Sequence, residues 1–394
     1  MSFRKIMFWS HLVAGVAAGV FILLMSVTGV LLTYEKNMVN MARNSVNIAV
    51  RNDAQRLSFD SLADRARTLD RAGASLIVSR NPDAPVLIQQ RGQDPILLNP
   101  YTGDQITDPS HKLDAFFGTV TQLHRWLAMT GESRNTGRAI TGAANLVFLF
   151  IVISGLYLWL PKIWRWSFIR LNLFFRSKLP TSKARDYNWH HVFGIWALIP
   201  LFFIVISGVV ISYSWAGNLV YKVVGEDVPQ RGGRPGASPI DDTAATGDVK
   251  PISASLQDAY EAAVADADTR WTSTRITIPR KADDSDASIA FYYGSGVVAN
   301  HSISYTFDRK ASTITETKTS RDASRGSKIR RWLRFIHTGE QYGIIGQTIA
   351  GLSTLAACFL VYTGLALSFR RLILPLFRRR HIAARPKQET RKYR

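Results

Sequence analysis

The stretch IMFWSHLVAGVAAGVFILLMSVTGVLLTY, residues 6–34, decides the class of fold, because its 29 consecutive positions carry no charged side chain. A helix that crosses the hydrocarbon core of a bilayer needs about 20 mostly apolar residues. Three further uncharged spans occupy residues 139–161, 187–221 and 341–369. The first span is too long for the apolar core of a signal peptide, and no small-residue cleavage pattern follows it. The sequence therefore predicts an integral membrane protein with four transmembrane helices, numbered here as spans one to four.

Basic side chains are concentrated in the segments that would share one membrane face. The N-terminus, the loop 162–186 and the tail 370–394 together carry 19 of the 49 Lys and Arg residues, against two acidic residues. Lys and Arg accumulate in the cytoplasmic loops of membrane proteins. We therefore expect a membrane protein with both termini in the cytoplasm. The net charge of +20 is interpreted as topology and lipid contact, with no nucleic-acid partner.

Composition excludes several other classes of site. The single cysteine, Cys358, rules out an internal disulfide framework and an iron–sulfur cluster held by this chain alone. The sequence contains no CxxCH motif for covalent haem, no glycine-rich nucleotide loop and no HExxH zinc motif.

Two polar segments between the spans are predicted to fold as α+β domains on the outer face, because each begins with a helical pattern and continues as short β-rich runs. The Pro- and Gly-rich stretch 225–249 is predicted to be a flexible loop. The predicted organisation is helix one at 1–35, an outer domain at 36–120, a His-bearing segment with helix two at 121–161, a basic cytoplasmic loop at 162–186, helix three at 187–221, a second outer domain at 222–330, a His-bearing segment with helix four at 331–369, and a basic cytoplasmic tail at 370–394.

Glycine spacing predicts that the chain is internally duplicated. His11 in span one and His190 in span three are each followed by glycines at offsets +4 and +18. Spans two and four share offsets of +5 and +18 from their first glycines, Gly137 and Gly346. Each half is therefore expected to contain a helix, an outer segment and a second helix.

The repeat carries two pairs of histidines. His11 and His190 are expected at the cytoplasmic end of the helices, and His124 and His337 at the outer end. An ionisable side chain at membrane depth is costly and usually marks function. Two neutral imidazoles from facing helices can hold a haem iron from both sides, which suits electron transfer. His191 remains an alternative to His190, and each pair alone supplies too few ligands for zinc.

The outer pair is less regular than the inner pair. His124 lies 13 residues before Gly137, whereas His337 lies 9 residues before Gly346. The difference is about one helical turn, so we expect the same helix face but a shifted depth.

The motifs that carry these histidines resemble the PepSY-associated transmembrane family over about residues 1–371. They are HxxxG and TGVLL in span one, LHRWL before span two, WHHVFGIW in span three and IHTGE before span four. The two outer segments are similar to PepSY domains. Within the family, the four-helix form looks most like inner-membrane ferric-siderophore reductases of the ferrioxamine reductase type.

That resemblance implies two b-type haems per chain and reduction of Fe(III)–siderophore in the periplasm with electrons from the cytoplasmic side. Carried over by motif, His11 and His190 would hold the inner haem, and His124 and His337 the outer haem. Some relatives carry a fused flavoprotein module that this chain lacks. The expected donor is therefore a reduced flavin, a quinol or a reductase protein.

Siderophores bind Fe(III) through hard oxygen ligands and hold Fe(II) less well, so one electron loosens the metal. A ferric siderophore is expected to dock near the outer histidines, between the two outer domains. Basic and aromatic side chains there would contact an anionic chelate, although they equally suit anchoring at the membrane interface. The expected substrate-binding residues are Arg125, Trp126, Arg330, Arg331, Trp332, Arg334 and Tyr342.

Two other functions stay open at this point. The chain can be a di-haem cytochrome that serves a quinone or a periplasmic redox protein. It can also be a non-redox PepSY module that binds or regulates a peptidase. Matched imidazoles inside the helices favour a redox protein, because a binding module does not need them.

Overall fold

The structure is a computed structural model that describes residues 1–48, 55–229, 252–281, 284–294 and 301–375. Most of the stretch 225–249 and most of the basic tail lie outside these residues. The chain divides into two compact units. A helical unit contains residues 1–34, 116–220 and 329–394, and a sheet unit contains residues 35–115 and 221–328.

The helices of the described residues are, in chain order, α1 (Phe3–Leu32), α2 (Glu35–Asn44), α3 (Phe59–Thr68), α4 (His111–Trp126), α5 (Arg134–Trp159), α6 (Trp166–Leu173), α7 (Ser182–Ser212), α8 (Ser214–Val223), α9 (Leu256–Asp266), α10 (Arg325–His337) and α11 (Gly343–Leu372). The strands are β1 (Ser75–Ser79), β2 (Val86–Gln89), β3 (Ile96–Leu98), β4 (Gln105–Ile106), β5 (Trp271–Thr277), β6 (Asp286–Tyr293), β7 (His301–Asp308) and β8 (Thr313–Thr319).

Four helices of the helical unit are long and apolar enough to cross a membrane: α1, α5, α7 and α11. They correspond to the four predicted spans, so the prediction of four membrane helices is confirmed. The prediction for span three was wrong at its end, because α7 stops at Ser212 rather than at 221. Tyr213 takes an extended backbone conformation there, with φ −114° and ψ 125°, and α8 begins at the next residue.

Each of the four long helices packs against two neighbours, so that the order around the bundle is α1, α5, α7 and α11. Small side chains allow close approach where α7 meets α11, since Ala197, Ala356 and Ala357 are buried there with Leu201. Association of helices in lipid depends on such close packing, because the surrounding lipid is as apolar as the helices themselves.

The sheet unit contains one antiparallel sheet in the order β4-β3-β2-β1-β5-β6-β7-β8. Strands β1 to β4 come from the first polar segment and β5 to β8 from the second. The two sets of strands are joined at the centre of the sheet, where β1 pairs with β5. Ser75 lies opposite Thr277 at one end of this pair, and Ser79 lies opposite Ser273 at the other end. The helices and strands predicted for both segments are present. The predicted separation into two domains was wrong, because the segments share one sheet.

One hydrophobic core serves both segments. Leu76 of β1 and Ile276 of β5 are completely buried, and they belong to the same cluster as side chains of α3 and α9. The two helices also cap one another. The Asp60 carboxylate of α3 accepts the first two backbone N–H groups of α9 at 2.9 and 3.1 Å, and the backbone N–H of Phe59 donates to the Gln257 side chain of α9 at 3.2 Å. This shared core closes the gap between the segments in which docking of a substrate was expected.

Candidate metal centres

Two pairs of histidine rings lie close together, edge-on, in the helical unit. His11 on α1 lies opposite His190 on α7, with ring centroids 6.5 Å apart. His124 on α4 lies opposite His337 on α10, with ring centroids 6.4 Å apart. The structure therefore brings together the histidine pairs that the sequence predicted. They are called the inner pair (His11 and His190) and the outer pair (His124 and His337).

The two pairs lie at different depths of the bundle. Thr28, which bonds to His124, follows His11 by 17 residues on α1. Ser207, which lies beside the other outer histidine, follows His190 by the same 17 residues on α7. At a rise of 1.5 Å per residue, this interval corresponds to about 25 Å along the helix axis. The pairs are thus separated by most of the thickness of a bilayer.

A hydroxyl group of a neighbouring helix fixes each histidine of the inner pair. Nδ1 of His11 lies 2.9 Å from Oγ of Ser154 on α5, and Nδ1 of His190 lies 2.9 Å from Oγ1 of Thr363 on α11. Both hydroxyls donate at 2.7 Å to the backbone carbonyl four residues earlier on their own helix. Since their hydrogens are used there, we assign Nδ1–H as the donor of each imidazole.

The outer pair is fixed in the same way, with one difference. Nδ1 of His124 lies 2.9 Å from Oγ1 of Thr28, whose hydroxyl donates to a carbonyl of α1 at 2.7 Å. Nδ1 of His337 donates to the carbonyl of Ile204 at 2.8 Å and lies 3.3 Å from Oγ of Ser207. A carbonyl only accepts, so His337 carries its hydrogen on Nδ1. All four rings therefore offer the lone pair of Nε2 to a metal.

A glycine follows each of the four hydroxyl residues and makes room for the ring. A Cβ atom built on any of these glycines would approach a histidine Cε1 closely. The distances are 3.3 Å between Gly155 and His11, 3.4 Å between Gly364 and His190, 3.6 Å between Gly29 and His124, and 3.3 Å between Gly208 and His337.

The sequence reasoning used these glycines only to align the spans and missed the hydroxyl residues before them. The available signal was a Ser-Gly or Thr-Gly dipeptide in each of the four spans. The four dipeptides are Thr28-Gly29, Ser154-Gly155, Ser207-Gly208 and Thr363-Gly364.

The predicted difference in depth within the outer pair was wrong. The carbonyl of Trp126, two residues after His124, packs against Gly137 of α5. The carbonyl of Gly339, two residues after His337, packs against Gly346 of α11 in the same way. The four additional residues after His124 therefore lie in the connection between α4 and α5, and they do not change the depth of the His124 ring.

The spacing of each pair fits one metal ion between two imidazoles. Two imidazoles that bind an ion from opposite sides at the usual bond length of about 2.0–2.1 Å have ring centroids about 6.4 Å apart. Within the described residues, no group of three or more His, Cys, Asp or Glu side chains is placed to hold a metal ion. A set of two imidazoles is too small to hold a metal ion alone, but it fits a haem iron, whose remaining ligands a macrocycle would supply. Open space beside Gly15, one turn from His11, also suits a flat macrocycle.

His191 has a different environment from His190. Its Nδ1 bonds to the carbonyl of Tyr187 on its own helix at 3.0 Å, and its ring packs on Tyr187 with centroids 4.1 Å apart. The structure thus puts His190, and not its neighbour, opposite His11.

A buried carboxylate lies one turn earlier on α7, where Asp186 bonds to Arg185 at 3.0 Å.

Part of the predicted substrate-binding group is gathered beside the outer pair. The guanidinium groups of Arg125 and Arg134 lie over the ring of Trp126, at 4.7 and 3.8 Å from its centroid. Partial burial, followed by the positive charges of Arg134, Arg138 and Arg334, lowers the pKa of Arg125. These four arginines therefore form one electropositive cluster, called the outer arginine cluster.

The other predicted contacts are more scattered. Trp332 packs edge-on against Phe203 of α7, with centroids 6.0 Å apart. Tyr342 is 64% exposed in the connection to α11, and Arg331 is exposed on α10. Arg330 lies beside Gly217 of α8. Of the predicted substrate-binding residues, Arg125, Trp126 and Arg334 are thus the ones associated with the outer arginine cluster.

Four apolar helices with a polar sheet unit define a multi-pass membrane protein. The chain belongs to the family described as the PepSY-associated TM region, whose profile matches residues 8–371. A search of curated protein sequences finds no match to the chain.

Proposed function

We propose that the chain is a di-haem b oxidoreductase of the bacterial inner membrane. It would pass electrons from the cytoplasmic side to Fe(III)–siderophore in the periplasm and release Fe(II) for iron uptake. The observation that carries this proposal is the spacing of the two imidazole pairs, 6.5 and 6.4 Å between centroids, at two depths of one bundle. One such pair would explain a single cofactor, whereas two pairs provide redox sites towards both membrane faces.

The residues of each site have distinct roles. His11 and His190 would hold the inner haem, and His124 and His337 the outer haem. When bound, haem supplies a one-electron redox centre. The hydroxyls of Ser154, Thr363 and Thr28 accept from Nδ1–H of three rings, and the carbonyl of Ile204 accepts from that of His337, so that each neutral imidazole presents Nε2. Bis-histidine ligation leaves no open position on the iron, which favours electron transfer over oxygen chemistry.

The charge distribution supports the orientation. The N-terminus, loop 162–186 and tail 370–394 carry the basic excess, so we infer that the inner pair lies at the cytoplasmic end of the bundle. We further infer a duplicated chain with two PepSY-like α+β segments. The mirrored strand order about β1 and β5 supports this, as do the matched hydroxyl and glycine contacts of the four histidines.

The outer arginine cluster supports a negatively charged substrate. Its cations lie next to His124, where a ferric chelate would accept an electron. Guanidinium groups bind oxygen anions with directed hydrogen bonds, and an adjacent indole ring such as that of Trp126 offers a flat contact surface. Reduction to Fe(II) would then lower the affinity of the hard oxygen ligands for the iron, so that the metal is released without hydrolysis of the siderophore.

The experiment is single-turnover oxidation of the reduced protein. The full chain, loaded with haem, is reduced with dithionite, separated from excess reductant and mixed with a ferric siderophore and a dye that traps Fe(II). We expect reoxidation of the haem bands with about one trapped Fe(II) per haem. The His124→Ala variant is expected to lose most of this reaction, whereas His191→Ala retains it. Reoxidation by a quinone or a redox protein, with none by ferric siderophores, would instead favour the di-haem cytochrome with another acceptor.

A further inference from the structure

A cleft of about 420 Å³ opens in the helical unit between the chain that follows α6 and the first half of α7. None of the residues used by the four histidine contacts lines it. The residues that face it most directly are Phe175, Arg176, Leu179, Arg185, Trp189 and Phe193.

Aromatic rings form one wall of this cleft. Phe175 packs edge-on against Phe193 with centroids 5.0 Å apart, and Trp189 packs edge-on against Phe193 at 6.4 Å. Aromatic groups of this kind favour offset-stacked or edge-to-face contacts with another ring. A planar aromatic ligand therefore suits the wall better than a flexible aliphatic ligand.

Two guanidinium groups supply positive charge at the same cleft. Arg185 bonds to the buried carboxylate of Asp186 at 3.0 Å and lies over the ring of Trp189, 5.3 Å from its centroid. The side chain of Arg176 has no carboxylate partner within the part of the chain that the structure describes. An arginine without a carboxylate partner beside an aromatic wall is suited to a phosphate group.

The cleft adjoins the inner pair. Trp189 immediately precedes His190, and Phe193 stacks on Phe359 of α11 with centroids 4.9 Å apart. Phe359 lies one turn before Thr363, which holds Nδ1 of His190. A redox-active ring in the cleft would therefore lie on the same helix faces that build the inner site.

We propose that this cleft binds the electron donor, and that the donor is a planar aromatic reductant that carries a phosphate, of the class of reduced flavin mononucleotide. The direction of electron flow rests on the proposed function. A neutral flavin hydroquinone releases two electrons and two protons to become oxidised flavin, and two Fe(III) ions of the substrate each take up one electron. A neutral membrane quinol would give the guanidinium group of Arg176 no anionic partner, whereas Arg185 already bonds to Asp186.

The test is equilibrium binding of oxidised flavin mononucleotide to the full-length protein in detergent, followed by fluorescence anisotropy. Riboflavin, which lacks the phosphate, is the matched ligand. Arg176→Gln removes the unpaired guanidinium, and Arg176→Lys keeps the charge. Arg170→Gln, on the neighbouring helix α6 and outside the cleft, is the matched control variant.

We expect saturable binding of the mononucleotide that weakens about tenfold or more in Arg176→Gln, less in Arg176→Lys and not in Arg170→Gln. Riboflavin is expected to bind the unchanged protein about as weakly as the mononucleotide binds Arg176→Gln. Absence of saturable binding, or equal affinity in the unchanged protein and Arg176→Gln, would overturn the proposal. So would reduction of the protein by a membrane quinol that is fast and insensitive to Arg176→Gln.

This binding measurement needs neither haem reduction nor a siderophore, so its failure is distinct from failure of the proposed function. If the mononucleotide does not bind while the dithionite-reduced protein still reduces a ferric siderophore, the cleft proposal falls and the proposed function stands. If the mononucleotide binds as expected while no siderophore is reduced, the cleft proposal is supported and the acceptor must be another molecule.

Discussion

The inner and outer histidine pairs have the same local chemistry on different scaffolds. Both combine two imidazoles about 6.4 Å apart with hydroxyl groups and glycines of neighbouring helices. The inner histidines belong to the long helices α1 and α7. The outer histidines belong to the shorter helices α4 and α10, which are connected to α5 and α11 by short turns. The inner site thus depends on packing of the long helices, and the outer site also depends on those turns.

The charges around the two pairs differ as well. Near the inner pair, the fully buried carboxylate of Asp186 bonds to Arg185 and Arg370. Near the outer pair, burial lowers the pKa of Arg125, and the positive charges of the other three members of the outer arginine cluster lower it further. Positive charge stabilises the reduced state of a redox centre. We therefore expect the outer arginine cluster to raise the reduction potential of the outer site.

The largest expected effect is the loss of one complete site. His190→Ala and His124→Ala should each lower the haem content of the purified protein from two towards one per chain, because each removes one of the two imidazole ligands of its site and so weakens the binding of that haem. Haem content is measured by pyridine haemochrome assay on purified protein. His191→Ala is the matched control and should retain two haems, since its Nδ1 bonds to its own helix. Loss of both haems in either single variant would show that the sites are not independent.

A larger side chain at a ring-facing glycine should displace one histidine. Gly155→Val puts its Cβ 3.3 Å from Cε1 of His11, and the branched methyl groups need still more space. We expect substantial loss of inner haem. Gly29→Val should cause a smaller loss of outer haem, because its Cβ meets Thr354 of α11 first, at 3.2 Å, and stays 3.6 Å from His124. Gly118→Ala, where a Cβ meets nothing within 4 Å, should leave both haems in place. The readout is haem content after gel filtration.

Two matched serine variants sharpen the comparison further. Ser154→Ala removes the hydroxyl that holds Nδ1 of His11, and loss of such a supporting contact typically lowers metal affinity about 10–100-fold. Ser207→Ala should have a much smaller effect, because the carbonyl of Ile204 still accepts from His337 at 2.8 Å. Transfer of haem to apomyoglobin measures both dissociation rates. Equal effects of the two substitutions would contradict the assigned roles of these hydrogen bonds.

The smallest expected effect concerns the reduction potential of the outer haem. Arg125→Gln removes one positive charge near the outer pair and should lower the outer reduction potential by on the order of 30 mV, with little change at the inner site. Lys162→Gln, in the basic loop, is the charge-matched control. Spectroelectrochemical titration of both haems gives the two potentials. A larger shift at the inner site would reverse the assignment of the arginine cluster to the outer pair.

The long helices and the histidine pairs could be predicted because lipid imposes strong constraints on sequence. A span must be apolar over its whole length, and an ionisable residue such as His11 or His190 stands out within it. The hydroxyl partners did not stand out, because Ser and Thr are common in membrane helices and bond to their own backbone. Only the packing of α5 beside α1 reveals that the hydroxyl of Ser154 also accepts a hydrogen bond from Nδ1 of His11.

The single sheet could not be predicted for a different reason. Its central contact pairs β1 with β5, whose residues Leu76 and Ile276 are 200 positions apart in the chain. Local alternation identifies each strand but contains no information about a partner at that distance. The position of the outer rings could not be predicted either. The additional residues after His124 lie in a turn, and counting residues by the period of a helix does not apply to a turn.

The central claim is that the two histidine pairs hold two haems, and visible spectroscopy tests it most directly. The full-length protein, expressed with sufficient haem and purified in detergent, is measured oxidised and dithionite-reduced, together with a pyridine haemochrome count. The account predicts sharp low-spin b-type bands and two haems per chain, with one remaining in His190→Ala. A protein that stays colourless after reconstitution with haem, or whose haem content is unchanged by His190→Ala and His124→Ala, would contradict it.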